Sequence, residues 1–243
     1  MVSRRGPESP PFHSGPPPTS VLGDEESPAL QPGPVTAIRE LARRAGRYAV
    51  EVGGAAITPV AIETIAECKL AVGLMLDAAA LERLRTASAV TACYDKALDA
   101  LARRARSSKD LERWLLEREH PRAAIAATIE RLSALGLLDD ERFAEAYVNG
   151  PARTKGFGQR RVAAELRRRG VPSAIVDRAI AGRADADGSE SDALAAAAAR
   201  RARTLRTQAP DVAQRRLVGW LVRRGFAIGA AIRAAKDALA SVR

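Results

Sequence analysis

The stretch Arg161-Val-Ala-Ala-Glu-Leu-Arg-Arg-Arg-Gly170 decides the fold. Val162 and Leu166 stand four residues apart and so share one face of a helix. The arginines after Leu166 complement the negative end of that helix, and Gly170 stands where a left-handed C-cap is wanted. The same pattern occurs upstream in Asp110-Leu-Glu-Arg-Trp-Leu-Leu-Glu-Arg118 and downstream in Arg216-Leu-Val-Gly-Trp-Leu-Val-Arg-Arg-Gly225. The apolar pairs there are Leu111/Leu115 and Leu217/Leu221, and Leu115, Leu166 and Leu221 fall 51 and then 55 residues apart. Each segment leads into a further apolar helix, through Ile125 and Ile129, Ile175 and Ile180, and Phe226 and Ile232. The first copy carries Glu119-His120 in place of the glycine turn, a weaker stop that Pro121 rescues by opening the next helix.

Upstream of each copy lies another helical stretch: Ala92 to Ala105, Asp140 to Asn149, and Asp192 to Leu205. Three helices per unit follow. One helix pair cannot bury its apolar stripe alone, so each unit should close as a small bundle and pack on its neighbour. The expected fold is all-α, an elongated tandem array of three-helix bundles over 93–138, 139–184 and 185–243, with Gly182 to Asp192 as a linker. An apolar content of 47% with only 4% aromatics, rich in Ala, Leu, Arg and Glu, agrees with helices and few strands.

Residues 35–92 read as a small mixed module. Ile38, Leu41, Ala42 and Ala45 predict a helix over Thr36 to Arg47; Tyr48 to Val52 alternates into Gly53-Gly54, a strand with a hairpin turn. Helical spacing resumes over Val60 to Leu74 and Ala78 to Leu84, broken near Gly73, with Asp77 as a cap. Nine of the 14 prolines lie between Pro7 and Pro34, mixed with Gly, Ser and an acidic patch, so residues 1–34 are expected to be a disordered tail.

The formal charge of +10 is unevenly spread. Residues 1–92 carry 9 basic and 10 acidic groups, whereas 93–243 carry 30 and 19. An electrostatic partner should therefore dock on the C-terminal part. One dense run is Arg153, Lys155, Arg160, Arg161, Arg167, Arg168 and Arg169; another holds Arg200, Arg201, Arg203, Arg206, Arg215, Arg216, Arg223 and Arg224. Arginine forks suit carboxylates and phosphates equally, so charge alone does not choose between nucleic acid and an acidic protein surface. Few aromatics accompany these cations in sequence, which argues against base stacking as the main source of binding energy.

Sites for chemistry are sparse. Asp139, Asp140 and Glu141 read as the N-cap and first turn of a helix rather than a metal cluster, with Phe143 turning into the core. Ser107 reads as a helix cap, and His120 as a helix-entry residue without a nucleophile beside it. Lys155-Gly-Phe-Gly158 is followed by no Gly-Lys-Ser/Thr and preceded by no strand, so it is a poor match to a phosphate loop, yet its basic surroundings admit an anion at the helix N-terminus that follows. No enzyme, cofactor, metal or small-molecule substrate is expected. Cys68 and Cys93 have no ligand or framework spacing and read as buried fillers in a reducing cytosol. No secretory signal is expected, and the apolar run Leu70 to Leu81 is too short to span a membrane.

Taken in order, Leu98 to Arg106, Ser107-Ser-Lys-Asp-Leu111, Ile129-Glu-Arg-Leu132, Leu135-Gly-Leu-Leu-Asp-Asp140 with Phe143-Ala144, Lys155-Gly-Phe-Gly158, Glu165-Leu166, Arg169-Gly170 and Arg224-Gly-Phe226 resemble the RecX family. The resemblance implies tandem three-helix repeats that lie along the groove of the RecA–DNA filament and restrain recombination, strand exchange and coprotease activity in the cytoplasm. It marks Asp139, Asp140, Phe143, Gly156, Gly158, Leu166, Gly170, Gly225 and Phe226 as family features, most of them structural. The candidate contacts are Arg153, Lys155, Arg160, Arg161, Arg167, Arg168, Arg169, Arg216, Arg223 and Arg224. The expected partner is a RecA filament, with direct DNA contact open to the same side chains. A helix-turn-helix DNA-binding regulator is the alternative, since short helices with glycine turns and arginine-rich second helices describe that class too.

Overall fold

A computed structural model describes residues 31–186 and 190–242. Among these residues four strands and ten α-helices follow in the order β1 Gly33–Glu40, β2 Arg47–Val52, β3 Ala55–Ala61, α1 Ile62–Glu67, β4 Met75–Leu76, α2 Ala78–Arg103, α3 Ser108–Leu116, α4 Arg122–Ala134, α5 Asp140–Tyr147, α6 Gln159–Arg168, α7 Ser173–Ala186, α8 Glu190–Ala202, α9 Pro210–Arg223 and α10 Ile228–Ala240. A π-helical turn, Val148–Ala152, extends α5 around Pro151, which has no N–H for the regular ladder.

The N-terminal sheet is antiparallel in the order β3-β2-β1-β4. Gly53 and Gly54 both take positive φ, as the expected β2–β3 hairpin requires. The expected helix over Thr36 to Arg47 is replaced by β1. Gly33 and Val35 are buried while Pro34 and Thr36 are exposed, a period of two that the helical spacing of Ile38, Leu41 and Ala45 masks. Gly33 and Pro34 also correct the upper boundary of the expected tail; residues 1–30 of it lie outside the described residues. Val60 and Ala61 belong to β3, so the helix expected from Val60 is only the six residues of α1. Cys68, expected to be buried, is exposed at the end of α1; Cys93 is buried as expected.

Helix α2 runs unbroken from Asp77, whose carboxylate accepts from the Ala80 amide at 2.7 Å, through the expected boundary at residues 92/93. Its first half covers the sheet core, where Leu81 and Leu84 meet Val35, Val50, Val52 and Val60. Its second half packs with α3 and α4 around Leu111, Leu115, Ile125 and Leu132. Arg47 grips the nearly buried Asp95 of this helix with contacts of 2.9 and 3.1 Å. Arg44 bridges Asp95 at 3.1 Å and Asp99 at 2.8 Å. Sheet and first bundle thus share one helix and one ion-pair network.

Two further cores follow. Phe143, Tyr147, Val162, Leu166 and Val176 join α5, α6 and α7; Leu194, Ala198, Leu217, Leu221, Phe226 and Ala235 join α8, α9 and α10. Helix α7 continues to Ala186, so the linker expected from Gly182 is helical over its first turn.

Candidate interface at the bundle joints

The second helices of the three bundles end alike. The N–H groups of His120, Val171 and Phe226 donate to the carbonyls of Leu115, Leu166 and Leu221 at 3.4, 3.1 and 3.3 Å. This is the six-to-one bond of a Schellman turn in each case. Gly170 and Gly225 hold the left-handed position at φ 81° and 94°; in the first bundle Glu119 holds it at φ 61°.

These turns also fasten each bundle to the previous one. In the first joint, the Ser107 hydroxyl donates to the carbonyl of Arg169, and the Ser108 amide donates to Asp140 at 2.8 Å. Arg113 donates to the carbonyl of Arg168 at 3.2 Å. In the second, the Gly158 amide donates to the carbonyl of Arg224 at 2.8 Å and the Gln159 amide to Glu190 at 3.0 Å. Arg161 donates to the carbonyl of Arg223 at 2.9 Å. The cap residue, the first helical amide and an arginine of one bundle thus meet the last turn and the leading acid of the next, twice over. Both glycines are needed for this approach. A Cβ on Gly170 would lie 2.3 Å from Lys109 Cβ, and one on Gly225 would lie 2.4 Å from the Arg161 nitrogen. The caps belong to the same construction: Ser107 accepts from the Asp110 amide at 3.1 Å, and Asp139 from Glu141 and Arg142 at 2.9 and 3.0 Å. Helix α9 begins differently, with Pro210 as its first residue after Ala209.

The ten expected contact residues divide by what they touch. Arg169 and Arg224 are half-buried. The Arg169 guanidinium lies 5.0 Å from the Tyr147 ring, and that of Arg224 lies 4.0 Å from Trp220 and donates to the carbonyls of Lys155 and Gly156. Arg161, besides its bond to Arg223, covers Phe157 at 4.5 Å. Arg161 and Arg224 thus hold the second joint together, whereas the Arg169 side chain packs within its own bundle. Arg167 pairs with Asp177 at 3.2 Å and Arg168 with Glu165 at 2.9 Å, both on the surface; that hydrogen bond is the main reason the Glu165 carboxyl sits below its ordinary range. Arg216 reaches Gln208 at 3.1 Å. Arg153, Lys155, Arg160 and Arg223 are exposed.

The joints differ in charge. At the first, Asp110 gathers Arg106 at 3.0 Å, Arg104 at 3.3 Å and Arg113 at 3.8 Å. At the second, the equivalent third position of α6 is Arg161. Lys155, Arg200, Arg201 and Arg224 line an open cleft of about 520 Å³ beside it, together with Thr154, Phe157 and Trp220. Arg224 is held below the ordinary arginine range first by burial and then by Arg200, Arg161 and Arg201. Sequence reasoning missed this cleft, because Phe157 and Trp220 are far apart along the chain and only the joint brings them together. It also missed that the amides of the cap Gly158 and of Gln159, the first residue of α6, at the helix N-terminus offered to an anion on sequence grounds, are already bonded to Arg224 and Glu190.

The chain is similar to known proteins across these bundles. The model of the RecX first three-helix domain matches residues 93–132, and that of the RecX second three-helix domain matches 139–180. The regulatory protein RecX of Mycolicibacterium vanbaalenii is 39% identical over 133 residues, which cover 53% of this chain and 72% of that protein. The regulatory protein RecX of Levilactobacillus brevis is 36% identical over 141 residues; the match spans 58% of this chain and only 53% of the relative. A crystal structure of a regulatory protein RecX shares the fold with a TM-score of 0.68 at 23% identity, covering 84% of this chain and 98% of that one. RecX from Lactobacillus salivarius gives 0.53 at 21% identity, over 62% and 96%.

Proposed function

This chain belongs to the RecX family, and we propose from that premise that it is a non-enzymatic regulator that binds the RecA–DNA filament and restrains recombination, strand exchange and coprotease activity. The observation that carries the reading is the joint built twice from equivalent bonds. A repeated joint sets the second helices of successive bundles in a fixed relation. The outward cations of α6 and α9, Arg160, Arg167, Arg168, Arg216 and Arg223, then act together on a repetitive polyanionic partner. A stack fastened by repeated joints suits the groove of a helical filament in the cytoplasm.

The test is RecA-driven ATP hydrolysis and strand exchange on single-stranded DNA, with the full chain added. Slowing that grows with added chain and weakens on reversing Arg160 and Arg167 to Glu supports the reading. An unchanged rate at saturating chain overturns it, and sequence-specific footprints on duplex DNA without RecA would move the protein to the DNA-binding regulator class. Among the described residues no helix is long and apolar enough to cross a membrane.

A further inference from the structure

The two joints share their bonding but not their charge balance. At the first, one carboxylate, Asp110, answers three guanidinium groups. At the second, the matching residue is itself a cation, Arg161, and no carboxylate is among the described residues that line the cleft. Arg224 spends its hydrogen bonds on the carbonyls of Lys155 and Gly156, which leave its charge uncompensated. Gly156 makes room for the gathering: a Cβ there would lie 3.1 Å from the Arg200 guanidinium and 3.5 Å from that of Arg224. The Nε of Arg201 is buried without a hydrogen-bond partner. Collecting like charges in a part-buried cleft is unfavourable unless an anion completes it.

The walls say which anion. Trp220 and Phe157 stand among the cations, Trp220 under Arg224 at 4.0 Å and 5.9 Å from Arg201, Phe157 under Arg161 and 5.9 Å from Lys155. Aromatic faces among cations in an open groove are the elements of single-strand recognition, where bases stack and phosphates meet charge. Deepening the filament reading, on which its biological setting rests, we propose that the second joint is a binding site for single-stranded nucleic acid, with backbone phosphates on Lys155, Arg200 and Arg201 and a base against Trp220.

The experiment uses the full chain and a fluorescein-labelled oligothymidylate, without RecA. Exchanging Lys155 and Arg200 together for Gln should weaken binding at least about tenfold, equivalent to about 1.4 kcal/mol. It should also lower the magnitude of the log K against log salt slope by about 1.4, two contacts at about 0.7 each. A control pair on α10, Arg233→Gln with Lys236→Gln, removes the same charge and should leave both nearly unchanged. In the Trp114→Phe chain the oligonucleotide should quench the remaining Trp220 emission; if that chain fails to fold by circular dichroism, loss of the quench in Trp220→Phe makes the same assignment. The proposal is overturned if the control pair weakens binding as much as the cleft pair, or if Trp220 emission does not respond at saturation. Displacement by polyglutamate at lower charge concentration than by the strand would reassign the cleft to an acidic protein segment, and equal competition by thymidine monophosphate would make it a nucleotide pocket; either result also sinks the proposal. RecA is absent from these assays, so their failure leaves the filament reading standing, and the RecA assays can fail while the strand still binds.

Discussion

Gly225 rests directly against the backbone of Arg161, so close that a single added carbon would fall 2.4 Å from the Arg161 nitrogen and 2.5 Å from its Cβ. Gly225→Ala therefore meets two penalties, the left-handed backbone at φ 94° and a clash across the second joint. A loss above about 2 kcal/mol in urea unfolding is expected. Gly136→Ala is the comparison: φ is 66° with nothing within 4 Å of the added carbon, and the loss should stay at about 1 kcal/mol. Equal losses in the two variants would show that the joint is not tightly closed.

Ser107 caps α3 and also donates to Arg169 in the next bundle. Ser107→Ala should cost about 1–2 kcal/mol, more than an exposed cap alone, because the Arg169 carbonyl loses its donor too. Hydrogen exchange should then rise at the end of α6 as well as at the start of α3. Exchange confined to α3 would mean the cross-joint bond contributes nothing.

Asp95 is nearly buried and answers both Arg44 and Arg47. Removing it in Asp95→Ala leaves Arg47 half-sheltered without its partner, and a loss of about 3 kcal/mol is expected from thermal or urea unfolding. Since α2 serves both the sheet and the first bundle, the two should loosen together. Separate transitions for sheet and bundle in this variant would contradict a shared helix.

His120 is held below its ordinary value first by burial, then by Lys96 and Arg118. The unfolded chain takes up its proton at about pH 6.5, before the folded one does. Stability from this group is therefore complete above that pH and falls as the pH drops from about 6.5 to the depressed folded value. His120→Gln should flatten the melting temperature between pH 7 and pH 5 relative to the parent. Parallel curves for the two chains would remove His120 as the cause.

The parts of this fold legible in the sequence are those whose signal is local. Leu115, Leu166 and Leu221 announce themselves by spacing, Gly170 and Gly225 by the cap that follows, and Ser107, Asp77 and Asp139 by their place before apolar runs; each takes the cap or turn expected of it. Strand β1 was not legible, because Ile38, Leu41 and Ala45 imitate a helix while the partners that make a strand, Tyr48 to Val52, supply the hydrogen bonds from outside the segment. The same limit governs the site. Ten cations look alike as letters, and only tertiary contacts separate Arg169 and Arg224, spent on aromatic rings and carbonyls, from Arg160 and Arg223 on the surface. Acids three residues away, such as Glu165 beside Arg168, are visible in sequence; Trp220 beside Lys155 is not.

The start of α9 bears on self-association. Pro210 sits where Ser108 and Gln159 each offer an N–H to the leading acid of the following bundle, and a proline ring has none to offer. At the opposite end Glu119 carries a side chain where the other two turns present bare Cα atoms. Two molecules meeting head to tail would thus lack both the donor and the clearance that the internal seams use, so this seam supplies no route to open-ended fibres.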